Sequence, residues 1–292
     1  MTISASDVMK LRNSTGAGMM DCKNALEEAG GDMDKAVDLL RKKGILKAAK
    51  RADKVAAEGL VASFISVDSK AGVLVEVNCE TDFVGQSADF GAFAKSVAEV
   101  VAKENPVDVD ALQNTKLGAG GTVGETANNL TLKIGEKISV RRFTRYESSV
   151  GKVYSYLHGS KIGVMIEMTG GDAELGTDVA MHVAASNPKA LDRSGVDAAL
   201  LASERDVYAA QLKAAGKPEN IIENILKGKI DKFYSDVTLL EQAFIKNEDV
   251  KVGDLAKGKG ATIVRFVRYE LGEGIEKVTK DFVAEVAEQV NK

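Results

Sequence analysis

Two stretches of this chain close on nearly the same six residues, and that repetition limits the fold more than any other feature. Arg142-Phe143-Thr144-Arg145-Tyr146-Glu147 and Arg265-Phe266-Val267-Arg268-Tyr269-Glu270 agree at five of six positions. The likeness continues upstream in the same order. Gly59-Leu60-Val61-Ala62-Ser63-Phe64 leads through a turn into Val73-Leu74-Val75-Glu76-Val77. Gly151-Lys152-Val153-Tyr154-Ser155-Tyr156 leads likewise into Val164-Met165-Ile166-Glu167-Met168. Each pair of runs reads as a hairpin. Each is followed by a helical stripe, Phe90, Phe93, Ala94 and Val97 in one half and Leu175, Val179, His182 and Val183 in the other. The pattern predicts an α+β core of two related subdomains, each a small antiparallel sheet with helices on one face.

The halves differ in length. Gly59 and Arg142 lie 83 positions apart and Gly151 and Arg265 114, which places an insertion of 31 in the second half. The excess falls where a helical hairpin can be read. Leu200, Leu201, Val207, Tyr208 and Leu212 form one stripe; Gly216-Lys217-Pro218 breaks it. Ile221, Ile222, Ile225, Leu226, Ile230, Phe233 and Tyr234 form the second. Such a coiled-coil arm either protrudes, its tip free to meet another subunit, or folds back onto its own core.

Before the repeat, the chain reads as helices only. Ser4-x-x-Asp7 resembles a capping box opening a short helix through Leu11 and Arg12. Thr15-Gly16-Ala17-Gly18 is a turn, a second helix ends at Gly30-Gly31, and a third, with Ala36, Val37, Leu39 and Leu40, stops at Gly44. Three helices in this span resemble a ubiquitin-associated (UBA-like) bundle, with a basic helix as linker. The expected divisions are 1–56 for bundle and linker, 57–148 for the first subdomain, 149–190 with 236–274 for the second, 191–235 for the inserted hairpin, and 275–292 for a C-terminal helix. Gly272-Glu273-Gly274 is expected to act as a hinge before that last helix.

Composition narrows the function. A net charge of −4 argues against a protein that clamps a phosphate backbone, and the lack of Trp against base-stacking platforms, so no direct nucleic-acid contact is expected. No run of 18 apolar residues occurs, and the N-terminus lacks the basic and apolar regions of a signal peptide. Cys22 and Cys79, far apart and outside any CxxC, read as small packed residues. A cytoplasmic, reduced protein with no membrane association is expected. Catalysis has little support: of two histidines, His182 falls on an apolar helix face. Gly118-Ala119-Gly120-Gly121-Thr122-Val123-Gly124 lacks the Lys-Ser/Thr of a phosphate cradle and reads as a flexible loop. Lys257-Gly258-Lys259-Gly260 reads as a solvated turn. Neither an enzyme activity nor a cofactor or metal site is expected, and the partner is read as a protein or a small molecule. A small-molecule enzyme is allowed by size but finds no nucleophile–base set, and an adaptor for ubiquitin-like partners would explain the bundle but not the repeat.

The most informative segment for recognition is Glu76-Val77-Asn78-Cys79-Glu80-Thr81-Asp82-Phe83-Val84. A strand of period two runs straight into an acidic turn carrying Phe83, and the helical pattern resumes only near Asp89. Alignment of Glu76 with Glu167 places Ala173 opposite Asp82 and Glu174 opposite Phe83. The sister half therefore folds without an aromatic there, which frees Phe83 to act as a wedge in a partner. Asp82 reads either as part of that contact or as a local cap.

Leu11-Arg12-x-x-Thr15-Gly16-Ala17-Gly18-Met19-Met20-Asp21-Cys22-Lys23-Asn24-Ala25-Leu26, together with Glu76 through Val84, resembles the bacterial elongation factor Ts family. Lys133-Ile134-Gly135-Glu136-Lys137-Ile138, Tyr156-Leu157-His158-Gly159 and Gly272 through Val278 extend the resemblance over nearly the whole chain. It implies a guanine-nucleotide exchange factor for the translational GTPase elongation factor Tu, binding the GDP form, displacing Mg²⁺ and promoting GDP release. It further implies that Thr81, Asp82, Phe83 and Val84 approach the Mg²⁺ and phosphate side, with Asp82 acting either by hydrogen bonding or on the ion. Met19 and Met20 would contact the nucleotide-binding domain and Ile134 and His158 a second domain. Gly85-Gln86 departs from the small-then-basic pair usual in that family.

Overall fold

The computed structural model describes residues 3–118 and 121–276. They form two compact units. One runs through Phe64 and takes Leu74–Thr144 and, of the described residues, 269–276; the other takes Ile65–Val73 and Arg145–Arg268.

Elements of the first part of the chain are α1 (Ala5–Thr15), α2 (Met19–Glu28), α3 (Met33–Lys50), β1 (Glu58–Ile65), β2 (Ala71–Cys79), α4 (Asp82–Gly85), α5 (Ala88–Glu104), α6 (Val109–Gln113), α7 (Val123–Ile134) and β3 (Ser139–Glu147). Ser4 caps α1 by accepting the Asp7 N–H at 3.1 Å. The helix runs past Arg12 and ends at Gly16 in left-handed backbone, φ 70°. Val8, Leu11, Cys22, Ala25, Leu26, Ala36 and Leu40 make the core of the bundle, joined by Leu132 from α7.

Gly44 does not stop α3. An interior glycine weakens a helix by about 1 kcal/mol, but this one is buried against α7, where a Cβ would lie 3.3 Å from the Asn128 carbonyl oxygen. Its missing side chain lets the two helices approach, so α3 continues into what the sequence reads as a separate linker. Lys47 Nζ donates to the Leu132 carbonyl at 2.9 Å, and Arg41 pairs with Glu125. The supposed glycine loop is also shorter than expected. Val123 and Gly124 open α7, whose N-cap Thr122 and Glu125 form a capping box; Ala119 and Gly120 lie outside the described residues.

β2 is the centre of a sheet ordered β1-β2-β3 and is buried on both faces. Glu76 is 0 % exposed. Its carboxylate accepts from Arg141 Nη1 at 2.9 Å, Arg142 Nε at 2.6 Å and the Gly272 N–H at 2.9 Å. Burial alone would push this carboxyl up. The Gly272 amide and the two guanidinium groups outweigh it and hold the group below the usual carboxylate range. Gly272 and Glu273 are thereby held at the sheet: beyond the Gly272 bond, the Glu273 carboxylate meets Arg142 at 3.2 Å. The expected C-terminal helix lies, beyond Glu276, outside the described residues.

The chain goes on through β4 (Lys152–His158), β5 (Ile162–Thr169), α8 (Ala173–Ser186), α9 (Ala198–Ala214), α10 (Glu219–Val237), β6 (Ala243–Phe244), β7 (Asn247–Lys251), α11 (Val252–Gly258) and β8 (Thr262–Glu270). A second sheet is ordered β4-β5-β8, with β4 and β5 antiparallel and Tyr154 opposite Ile166. Its core gathers Val164, Ile166, Met168, Leu175, Val179, Val183, Leu239, Phe244 and Ile263. His182 is packed there: Nε2 lies 2.9 Å from the Gln242 amide oxygen, Nδ1 accepts the Ile245 N–H at 3.2 Å, and burial pushes its pKa down.

The repeat survives in the packing. Glu167, equivalent to Glu76, accepts from Arg265 Nε at 2.6 Å. Arg142 lies 4.1 Å over the Tyr269 ring and Arg265 4.0 Å over Tyr146, a matched pair of cation–π contacts. The inserted α9–α10 hairpin holds its own small cluster of Leu212, Ile222 and Leu226 with Tyr208, Ile225 and Ile230, and leaves Leu200, Val207 and Ile221 exposed. Among the described residues no helix is long and apolar enough to cross a membrane.

Candidate functional site

Phe83 stands not on an irregular connection but in the single helical turn α4. The Gln86 N–H reaches the Asp82 carbonyl at 3.0 Å and the Ser87 N–H that of Val84 at 3.0 Å. Ser87 then caps α5 through the Phe90 N–H. A helix of four residues is too short to show a period, which is why the sequence reads it as a loop. Thr81, in extended backbone, occupies the N-cap position, so Asp82 is not the cap but the first helical residue. Of the pair Gly85-Gln86, Gln86 at the usually basic position is exposed, and the structure gives no reason for it. Gly85 is buried against the start of β1, and a Cβ would fall 2.9 Å from the Gly59 carbonyl oxygen.

The ring projects. Phe83 is 84 % exposed, an unusual state for the most apolar side chain of its segment. What lies beneath it is fixed by three polar groups. Glu80 Oε1 accepts from Arg51 Nη1 at 2.6 Å and from the Lys137 N–H at 2.6 Å. Glu136 accepts the Thr81 N–H at 3.0 Å and the Thr81 hydroxyl at 2.7 Å. The Cys79 thiol donates to the Thr81 carbonyl at 3.0 Å, and burial pushes its pKa up to about 12, which keeps the proton on sulfur. Reading the sequence misses Glu80, Glu136 and Arg51 as site residues. Their one signal is that Glu80 lies within the segment Glu76–Val84 and Glu136 within Lys133–Ile138.

The other sequence-derived residues are distributed. Ile134 ends α7 half-buried, two residues before Glu136, so the Thr81 contact brings its loop to the turn. Met19 and Met20, 43 % and 63 % exposed, open α2 and line a shallow apolar depression with Ile3, Val8 and Met9. His158 is exposed at the end of β4 in the second unit, its Nδ1 3.3 Å from the Tyr156 hydroxyl.

Chemically, the first-unit residues combine an exposed aromatic, a free-standing carboxylate and exposed thioethers on ordered backbone. Among the described residues no group of His, Cys, Asp and Glu is placed to hold a metal ion. Residues 80–273 match the family model for elongation factor Ts. The chain is 49 % identical over 290 residues to elongation factor Ts of Methylococcus capsulatus, covering 99 % of each. It is 50 % identical over 289 residues to that of Alkalilimnicola ehrlichii, again 99 % of each. With elongation factor Ts of Pseudomonas aeruginosa it shares 49 % over 290 residues, 99 % of this chain and 97 % of the relative. The chain therefore belongs to the elongation factor Ts family, the cytoplasmic nucleotide exchange factors that act on elongation factor Tu in translation elongation and are not catalytic enzymes.

Proposed function

We propose that Thr81-Asp82-Phe83-Val84 is the element that disturbs the Mg²⁺ and phosphate side of elongation factor Tu, with Phe83 as the wedge. The observation that carries this is the exposed ring on an anchored turn. The repeat supports it: α8 begins at Ala173 where α4 begins at Asp82, and places Glu174 where α4 has Phe83. Mg²⁺ tolerates little departure from octahedral geometry, so a small shift of its ligands on the GTPase releases it.

Exchange is a matter of differential affinity, and it is reciprocal: whatever factor the protein weakens GDP by, GDP weakens the protein by. Accelerating release about 10⁴-fold requires roughly 5.5 kcal/mol, while burying one Phe side chain contributes about 1.5–3 kcal/mol. The wedge needs further contacts, and Met19, Met20, Ile134 and His158 supply them. These hold the partner, whereas Phe83 acts on the nucleotide. The two roles separate kinetically. In stopped-flow release of a fluorescent GDP from elongation factor Tu, Met20→Ala is expected to raise the half-saturating concentration about fivefold to tenfold with little change in the saturating rate. A lowered saturating rate at unchanged half-saturation would remove Met20 from the docking surface.

The hairpin is proposed to mediate self-association, through the apolar side chains Leu200, Val207 and Ile221 left exposed along α9 and α10. Deleting Leu200 to Tyr234 is expected to leave a folded core whose sedimentation coefficient no longer rises with concentration. The same concentration dependence in the deleted and full chains would sink this role for the arm.

A further inference from the structure

The residues that hold the exposed turn are arranged with a symmetry that ordinary packing does not require. Glu80 accepts the Lys137 N–H, and Glu136 accepts the Thr81 N–H. Two adjacent pairs, 80–81 and 136–137, thus each give a carboxylate to the other's backbone. Bonds to an ionised acceptor are about twice as strong as neutral ones, and here they join the entry of α4 to the loop between α7 and β3. Lys137 Nζ adds bonds to the Ala52 and Lys54 carbonyls, and Arg51 one to Glu80, so the segment after α3 is tied in as well.

The second half is an internal control. The strand alignment that matches Glu76 with Glu167 and Arg142 with Arg265 sets Gly171 opposite Glu80 and Lys259 opposite Glu136. There the two turns approach through glycine, since a Cβ on Gly170 would fall 2.1 Å from the Gly260 carbonyl oxygen, with Ala261 and Leu175 packed beside Gly171. The shared fold can therefore bring these turns together without any carboxylate. Carboxylates occur in the half that carries the aromatic, and the half with glycine has none at these two positions and no ring.

We propose that Glu80 and Glu136 are positioning residues for nucleotide exchange, a reciprocal clasp that keeps α4 wound while Phe83 is pressed into the GTPase. This rests on the wedge reading of Phe83. A single helical turn is a poor bearing on its own, because nucleating a helix fixes several residues for one or two hydrogen bonds. The reaction force on the ring would unwind it. With Thr81 held at both its N–H and its hydroxyl, the push is delivered to the partner instead.

The test is whether Glu136 acts through the ring. Saturating rates of fluorescent GDP release are measured for wild type, Glu136→Ala, Phe83→Ala and the double variant, with Thr81→Val as a milder break that removes only the hydroxyl bond. Glu136→Ala is expected to lower the saturating rate about tenfold in the wild-type background. In the Phe83→Ala background it is expected to lower it less than about twofold, since the positioned group is already gone. Thr81→Val is expected to show the same dependence at smaller size. Equal losses in both backgrounds, or none in the first, would overturn the clasp. A Phe83→Ala rate equal to wild type would instead overturn the wedge, and the clasp's purpose with it.

Discussion

Replacing Phe83 with alanine is expected to slow GDP release at saturating protein by about 10- to 150-fold while leaving the fold intact. The range is the 1.5–3 kcal/mol that burying one such side chain contributes, converted at about 1.4 kcal/mol per decade of rate. The intact fold follows from exposure: a ring that is 84 % accessible contributes almost nothing to its own core. The thermal midpoint is expected to move by less than about 2 °C, a surface-substitution effect. That contrast separates a wedge from a structural residue. A core aromatic would lose stability and activity together; Phe83 should lose activity alone. A wild-type release rate in Phe83→Ala would falsify the wedge, and a large loss of thermal stability would mean that the ring packs in solution.

Most of the fold was legible because the chain says it twice. The matched closing strands and hairpins point to related subdomains, and the excess length of the second half points to the inserted helices α9 and α10. What stayed hidden were features with no period. α4 is one turn long, and β6 covers two residues. Gly44 carries the sequence mark of a helix stop, yet it lies in the middle of α3 because α7 packs against it. The same holds at the site. Phe83 is visible because an aromatic after a strand end lacks a partner in the repeat. Glu80 and Glu136 are ordinary surface acids until the chain brings positions 55 residues apart within hydrogen-bond reach. Sequence patterning reports which face is apolar; it does not report which carboxylate meets which amide.

Glu76 is the residue whose loss should damage the fold most. Its carboxylate is 0 % exposed and is shared by Arg141, Arg142 and the Gly272 N–H, so one side chain joins β2, β3 and the chain after β8. Glu76→Ala leaves the Gly272 amide without its acceptor and strips Arg141 and Arg142 of the carboxylate they share, leaving them the contacts to Glu273. Breaking a buried pair from one side destabilises by about 3–5 kcal/mol. The lower end applies, because Arg141 and Arg142 remain 28 % and 30 % exposed and can turn to water. About 3 kcal/mol corresponds to a fall of roughly 6–12 °C in the thermal midpoint of a unit of this size. Acid should reproduce part of the effect in the wild type. The folded-state pKa of Glu76 lies below its unfolded value. The stabilisation is then complete above the unfolded pKa, about 4.3, and is lost as the pH falls through the folded one. Glu76→Gln removes the titrating group, so its stability should be lower at neutral pH and should decline less steeply on the acid side. Urea midpoints measured from pH 7 down to pH 3 for both proteins provide the comparison. Parallel acid limbs would show that other carboxylates carry the acid sensitivity and that the charge of Glu76 contributes little to holding the strands together.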